Sequence, residues 1–380
     1  RDDVESRGLG DVYKRQHNIR ISGGNEHIQT GLSIGYLDQE GVVKFTDAKK
    51  VSINFNSTVK YGQFKAGINV SANYRNYNEP HYGISDYMQL AMRALPVMTP
   101  YLADGSYGRS WVVTPGQNTF GNMLACKDGE NNYKQTRIVS SAFAEYVFPY
   151  DIKYNVTLGI RKVDLTRRYF QPATYTYNPK TLEPQKMIAN TTAMNTANDD
   201  INPSISQTIN WSHKFNGKHD ISALLGMNYE EFNAWSFSAR GQDGYLDNEL
   251  TEVGLATTFL NPSSSSSKVR LLSYFGRLNY DYADRYLFEM NLRYDGSSRF
   301  AKKHRWGLFP SFFAGWRIDQ EHFMENAQNW LSNLKMRVSW GQLGNQSIGL
   351  FQYTPVMNSG VNYIFGNVPV SYTHLTLPTT

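Results

Sequence analysis

The sequence predicts an all-β chain: a transmembrane antiparallel up-and-down β-barrel, incomplete, with about a dozen strands, short periplasmic turns and long extracellular loops. Three observations predict it. Apolar and polar residues alternate with period two, aromatics cap both ends of the apolar runs, and tight connections alternate with long ones. The clearest run is Tyr286, Phe288, Met290, Leu292 and Tyr294, interleaved with Leu287, Glu289, Asn291 and Arg293. Successive strand side chains point to opposite faces. One face of this segment is therefore greasy, and its length suits a tilted strand, which needs about 9–11 residues to cross the hydrocarbon. Aromatics at its edges sit at headgroup level.

The same pattern recurs from the amino-terminal side onward. Phe64, Ala66, Ile68, Val70, Ala72 and Tyr74 oppose Lys65, Gly67, Asn69, Ser71 and Asn73. Ile152, Tyr154, Val156, Leu158 and Ile160 oppose Lys153, Asn155, Thr157, Gly159 and Arg161. Past Arg161 the parity changes, which leaves two readings: the strand leaves the bilayer, or it takes up a bulge. Ile205–Phe215 has a weaker face, broken by Gln207 and His213, whereas Ile221, Ala223, Leu225, Met227 and Tyr229 is regular. Phe275 and Leu287 break the rule on the polar side. Strands are expected near 17–23, 28–37, 51–60, 64–77, 136–148, 152–169, 203–215, 219–238, 268–282, 285–295, 307–319 and 333–342. Tight turns fall at Tyr61-Gly62-Gln63, Pro149-Tyr150-Asp151, Asn216-Gly217-Lys218 and Ala283-Asp284-Arg285. Long polar stretches lie near 78–136, 171–203 and 240–267, the last with Ser263–Ser267 as its tip. Two segments look helical: 85–94, with Ser85 as a cap and Pro96 as a stop, and 321–331.

Composition sets bounds. Among 380 residues there are 26 Tyr and 7 Trp, aromatics make up 14%, and there is a single cysteine, Cys126. The mean hydropathy of −0.52 and the absence of a long apolar run exclude spanning helices but not barrels. One cysteine allows neither an internal disulfide nor a cysteine-based zinc site. The net charge of +5 is spread in pairs such as Arg167-Arg168, so nucleic acid is not an expected partner. The eight histidines show no His-x-x-x-His pair, and no metal or other cofactor is expected.

The ends stand apart. Asp11–Gln16 is a translation of GAT GTG TAT AAG AGA CAG, which resembles the end of a transposon used to prepare sequencing libraries. Val370–Leu375 fits the reverse complement in another frame. Residues 1–16 and 370–380 are therefore expected to be adapter-derived, leaving 17–369 as a piece of a longer barrel. No methionine precedes Met88, in keeping with this. A dozen strands cut from a larger barrel have two open edges, and unpaired backbone is not tolerated in lipid.

The stretch 272–320 carries the most recognisable words: Leu272–Tyr280 (LSYFGRLNY), Arg293–Phe300 (RYDGSSRF), Arg305–Ser311 (RWGLFPS) and Gly315–Ile318 (GWRI). Ile21–Glu26 with Gly35–Gly41, and Arg337–Gln346, flank it. Together these resemble the barrel of SusC/RagA-type TonB-linked transporters of the Bacteroidetes outer membrane. The resemblance implies a barrel of about 22 strands, of which this chain holds roughly the first half, with the plug and TonB-contacting segment outside it. It further implies import of oligosaccharides or peptides, a SusD-like lipoprotein closing the mouth, and energy from TonB–ExbB–ExbD through the missing amino-terminal part. Outer-membrane lipid would face Tyr286, Phe288, Met290, Leu292 and Tyr294. Arg277, Glu289, Arg293 and Arg299 are expected to line the lumen and meet the plug.

Other readings weigh less. Gly31-Leu32-Ser33-Ile34-Gly35 matches a nucleophile elbow, but that device needs a following helix and this segment runs on as a strand. Asp243, Asp247, Glu249 and Glu252 crowd one loop without calcium-loop spacing and read as a solvated loop. No carboxylate pair stands out for a glycosidase, so no catalytic residue and no enzyme activity is expected. Tyr82, Tyr101, Tyr107 and Trp111 lie on expected extracellular loops, where they stack on sugar rings, pack the loops together or pad a SusD-like lid. The alternative architecture is a secreted glycan-binding β-sandwich, which would bury its apolar face and leave the two girdles without a purpose.

Overall fold

A computed structural model describes residues 13–94, 99–109, 122–188, 190–327, 330–350, 352–353, 356–365 and 368–376. Its wall is one antiparallel sheet of 12 strands: β1 (Lys14–Gly24), β2 (Ile28–Glu40), β3 (Asp47–Tyr61), β4 (Phe64–Asn78), β5 (Glu130–Val147), β6 (Ile152–Gln171), β9 (Thr192–Phe215), β10 (His219–Gln242), β11 (Thr258–Tyr282), β12 (Tyr286–Ser297), β13 (Trp306–Arg317) and β14 (Lys335–Gly341). A small hairpin, β7 (Thr174–Tyr177) with β8 (Pro184–Ile188), interrupts the order between β6 and β9. A second hairpin, β15 (Val356–Phe365) with β16 (Val368–Thr376), follows the wall. Every wall strand pairs with its sequence neighbours, as an up-and-down order requires, and the sheet stays open at β1 and β14. β1 begins at Lys14, so it takes in three residues that the sequence assigned to the adapter translation.

Register turns the separate alternations into one surface. Ile19, Ile34, Ile53, Ala72 and Ile138 are successive partners across β1–β5. Tyr154, Ile209, Leu225, Gly276 and Leu292 continue the same face across β6–β12. Phe312 and Trp340 carry it to β14. Phe288 and Leu292 remain 42% and 38% exposed, with no second protein layer over them among the described residues. Stacked aromatics mark both borders. Tyr294 lies 4.7 Å from Trp306 at one, and Tyr282 lies 6.3 Å from Tyr286 at the other.

The two breaks in the apolar face of β9 have local partners. The Tyr154 hydroxyl donates to Gln207 Oε1 at 3.0 Å, and His213 Nδ1 lies 3.4 Å from Asp151 Oδ2 at the tight turn. On the polar side, Phe275 is laid over Gly226, where any Cβ would meet its ring at 2.3 Å. The parity change in β6 is not a bulge. Its register with β5 and with β9 runs unshifted through Arg161, so the strand simply rises out of the hydrocarbon. Above that point Lys162 and Asp164 pair on the outward face at 3.4 Å.

Four expectations need correction. Ser263–Ser267 is not a loop tip but part of β11, paired with Ser238–Ala234, and Ser236 and Ser265 share a 2.8 Å hydroxyl contact. A serine run carries no hydropathy period, so its long partner strand decides its conformation. The expected loops shrink accordingly, β9 starting at Thr192 and β11 at Thr258. The helix α1 spans Ile84–Arg93, but Gly83 occupies its N-cap position and Ser85 caps nothing. The segment 321–331 holds a 3-10 turn, His322–Ala327, rather than an α-helix.

Buried apolar side chains gather mainly outside the wall. Ala125, Met187 and Ile188 form a small core between the β4–β5 connection and the β7–β8 hairpin, with Tyr82 and Tyr107 packed against it.

Candidate functional site

Two surfaces offer chemistry: the polar face of the wall and the cluster of long loops at one end of it. On the polar face, Ser33, Asn54 and Ser71 form a hydroxyl–amide ladder. Asn54 Nδ2 donates to Ser33 Oγ at 3.4 Å, and Ser71 Oγ to Asn54 Oδ1 at 2.8 Å. Ser33 is thus a mid-strand ladder residue and not a nucleophile on an elbow. The charges concentrate farther along. Arg277 Nε donates to Asn291 Oδ1 at 3.0 Å, and Asn291 Nδ2 to Glu289 Oε1 at 2.7 Å. Arg293 bridges Asp295 at 2.8 Å and Ser273 Oγ at 2.9 Å. Arg277, Glu289 and Arg293 therefore share the polar face, each with a neighbouring partner that fixes its direction.

Arg299 lies elsewhere. It follows the end of β12, and its Nη1 donates to the Ile348 carbonyl at 2.7 Å. That bond draws the segment after β14 back over β13. Beneath it a cleft of about 390 Å³ opens at the outer end of the polar face, lined by Arg293, Asp295, His304, Phe309, Asn345 and Gln346 among others.

The loop cluster is built around Asn122. Its side chain accepts from Leu124 N at 2.9 Å, capping the 3-10 turn Met123–Asp128. It also donates to the carbonyls of Pro100 and Gly108 at 2.9 and 3.0 Å. Three stretches of the β4–β5 connection are thereby tied together, and Asn122 N contacts Met187 Sδ of the hairpin at 3.3 Å. His81, 3% exposed, lies against Gly129, where a Cβ would fall 2.2 Å from Nδ1. Its Nδ1 donates to the Cys126 carbonyl at 3.2 Å, and Nε2 is buried without a hydrogen-bond partner among the described residues. Burial, opposed by that carbonyl, holds the imidazole down at about 4, so it stays neutral at ordinary pH. Burial likewise pushes the Cys126 thiol up to about 12, which leaves it unreactive.

The loop aromatics divide. Tyr82 is spent on packing: its hydroxyl reaches Met187 Sδ at 3.4 Å, and its ring meets His81 edge-on at 4.2 Å. Tyr107 packs on the same core and bridges Tyr101 across 5.7 Å between ring centroids. Tyr101 remains 43% exposed. Trp111 lies outside the described residues. The acidic loop disperses to separate partners: Glu252 to Arg168 at 2.6 Å, Asp243 to Asn190 at 2.8 Å, and Asp247 to the backbone of Glu249 and Leu250. No group of three metal-ligating side chains occurs among the described residues. Asn122, His81 and Met187 went unnoticed in the sequence because no periodicity marks a contact between two distant loops.

The pattern of the TonB dependent receptor-like, beta-barrel family matches residues 162–371, more than half of the chain. The chain belongs to this family. TonB-dependent receptor SusC of Bacteroides thetaiotaomicron is 27% identical over 377 residues, covering 92% of this chain and 36% of that protein. TonB-dependent receptor P39 of Formosa agariphila is 28% identical, with 94% of this chain and 33% of that protein covered. The chain thus spans about a third of the length of the curated relatives it matches. In fold it is similar to the RagAB peptide transporter, with a TM-score of 0.76 at 20% identity over 96% of this chain and 40% of that one. The closed-closed state of the RagAB peptide importer matches with a TM-score of 0.77 at 21% identity, over 96% of this chain and 40% of that one. The wall is accordingly part of an outer-membrane barrel of the SusC/RagA type. The short turns of such a barrel face the periplasm.

Proposed function

We propose that this chain forms part of the conduit of a TonB-dependent importer of oligosaccharides or peptides, operating with a SusD-like lipoprotein and driven by TonB–ExbB–ExbD. The observation that carries the reading is the continuous pairing of the twelve wall strands, which sets an apolar belt, interrupted at Gln207 and His213, against a polar face rich in hydroxyls, amides and charges. Such a lining offers hydrogen bonds to a polar solute while committing few free charges, as passage rather than tight capture requires. RagAB is a peptide transporter, in keeping with one of the two cargo classes. We read the chain as non-catalytic, because Arg277, Glu289 and Arg293 are each tied to a neighbouring side chain and the Ser33–Asn54–Ser71 ladder includes no base.

Arg277, Glu289 and Arg293 would fix the gating segment that fills the lumen, and Arg299 would hold the rim segment over it. Among the described loop aromatics Tyr101 is the one to meet cargo, since Tyr82 and Tyr107 hold the rim together. The terminal segments 1–16 and 370–380 are best read as adapter translation, because both match the same DNA element. Deleting the full-length gene in its host and measuring growth on defined oligosaccharides and peptides tests the reading. Growth should fail on one cargo class and return with the intact gene. Unimpaired growth on every class, or recovery of the protein in the soluble fraction, would overturn it.

A further inference from the structure

The strands β9–β11 continue well past the outer tyrosine border. On the outward face of β10, Tyr229 is followed by Glu231, Asn233, Trp235 and Phe237, and these face Arg270, Lys268, Ser266 and Ser264 of β11. Trp235 lies six steps along the strand from Tyr229. With a rise of about 3.3 Å and a tilt near 45°, Trp235 stands roughly 14 Å above the border.

The chemistry changes in order along this height. Directly above Tyr229, Glu231 accepts from Lys268 at 2.6 Å and from Arg270 at 2.7 Å. The carboxylate also accepts from Tyr229 and Asn233, at 2.9 and 3.0 Å. It is saturated, while the exposed ammonium and guanidinium keep unspent donors and the trio carries a net positive charge. Farther out, Trp235 and Phe237 lie parallel, 6.3 Å apart, and both are exposed, Trp235 by 44%. The small serines opposite leave a cleft of about 620 Å³ beside Trp235, lined also by Asp199, Ile201, Asn233, Ser266 and Lys268. Asp199 Oδ1 is buried at its edge with no hydrogen-bond partner among the described residues. Exposed aromatics around an unfilled cleft with an orphan acceptor mark an interaction surface.

We propose that this outward cleft binds the phosphorylated saccharide headgroup of an outer-leaflet glycolipid, with its phosphate on Lys268 and Arg270 and a sugar ring on Trp235. The cations lie nearest the hydrocarbon, where such a lipid carries phosphate, and Arg and Lys donors suit phosphate oxygens. The aromatic shelf lies farther out, where the lipid carries sugar, and Trp offers an apolar ring face with a polar edge. The cleft is on the outside of the wall, so imported cargo never passes it. The assignment rests on the proposed membrane orientation.

The test uses the full-length transporter purified from outer membranes, with retained glycolipid counted by native mass spectrometry and cargo uptake measured in the same cells. Trp235→Ala, and Ser266→Trp, which fills the cleft, should each lower retained glycolipid by about fivefold, as loss of one aromatic contact implies. Trp235→Phe should retain most of it, and uptake should stay near wild type throughout. Equal retention in all variants overturns the assignment, as does equally tight binding of the delipidated saccharide or a cross-link placing Trp235 against a second barrel. A wild-type protein that inserts and imports, yet holds glycolipid regardless of Trp235, removes this inference alone. One that never reaches the outer membrane removes the transporter reading with it.

Discussion

The wall and the rim of this molecule are held together by different physics. In the wall, side chains such as Phe288 and Leu292 stay exposed, and order comes from twelve strands exchanging backbone hydrogen bonds. In the rim, Phe170, Met187 and Ala125 are buried almost completely, and strand pairing comes down to the four- and five-residue strands β7 and β8 and isolated bridges such as Gly108 to Tyr177. A bilayer supplies the apolar surroundings that a sheet would otherwise need from a second protein layer, so the wall needs none. The loops stand in water and must bury their own apolar surface. The two regions should therefore fail independently and for opposite reasons.

Four measurements break or sharpen that contrast. Phe170, 1% exposed and edge-on to Tyr245 at 5.3 Å, anchors the rim where β6 ends. Phe170→Ala should cost about 3–5 kcal/mol locally. Limited proteolysis should then cut within 79–129 or 172–191 while the barrel band of the full-length protein stays folded. Collapse of both together would show one cooperative unit. In the wall, Met290→Arg places a cation on the lipid face and should cost about 2–4 kcal/mol, read as lost outer-membrane assembly. Asn291→Arg, one residue along on the lumenal face, should assemble normally. Equal effects of the two would remove the distinction between faces.

Acid probes the rim alone. His81 resists protonation down to about 4, whereas an unfolded loop takes up its proton near 6.5. Above pH 6.5 both states are neutral and the rim has its full stability. Between 6.5 and 4 the unfolded loop gains a proton that the folded one refuses, so stability falls, by about 3 kcal/mol in all. Hydrogen exchange of 79–129 should quicken across that window with no change in the wall, and His81→Phe should flatten the response. The smallest effect is expected at Tyr154→Phe. It strips Gln207 Oε1 of its donor on the lipid face and should lower the urea midpoint by an amount worth about 1 kcal/mol.

What could be read from the sequence follows the same division. Alternation with period two let all twelve wall strands be placed without coordinates, and it put Tyr286, Phe288, Met290, Leu292 and Tyr294 on one face of β12, as the register has them. Beyond the hydrocarbon the constraint disappears. Ser263–Ser267 looks like a flexible tip because nothing in a serine run reports that β10 pairs with it. The rim core was invisible for another reason. Tyr82 meets Met187 and His81 meets Cys126 across gaps of 105 and 45 residues, and no local pattern signals contacts of that span. Aromatic content alone could not separate Tyr101, which stays exposed, from Tyr82, which is consumed by packing. Of the charges expected together, Arg277, Glu289 and Arg293 share the polar face by strand parity, whereas Arg299 lies past the end of its strand, where parity no longer predicts direction.

Asn122 ties its own connection to a hairpin that emerges two strands farther around the wall. The two insertions consequently behave as one inherited cassette. Anyone exchanging mouths between relatives to redirect cargo would have to move 79–129 and 172–191 together, because either half transplanted alone would arrive with its greasy underside bare.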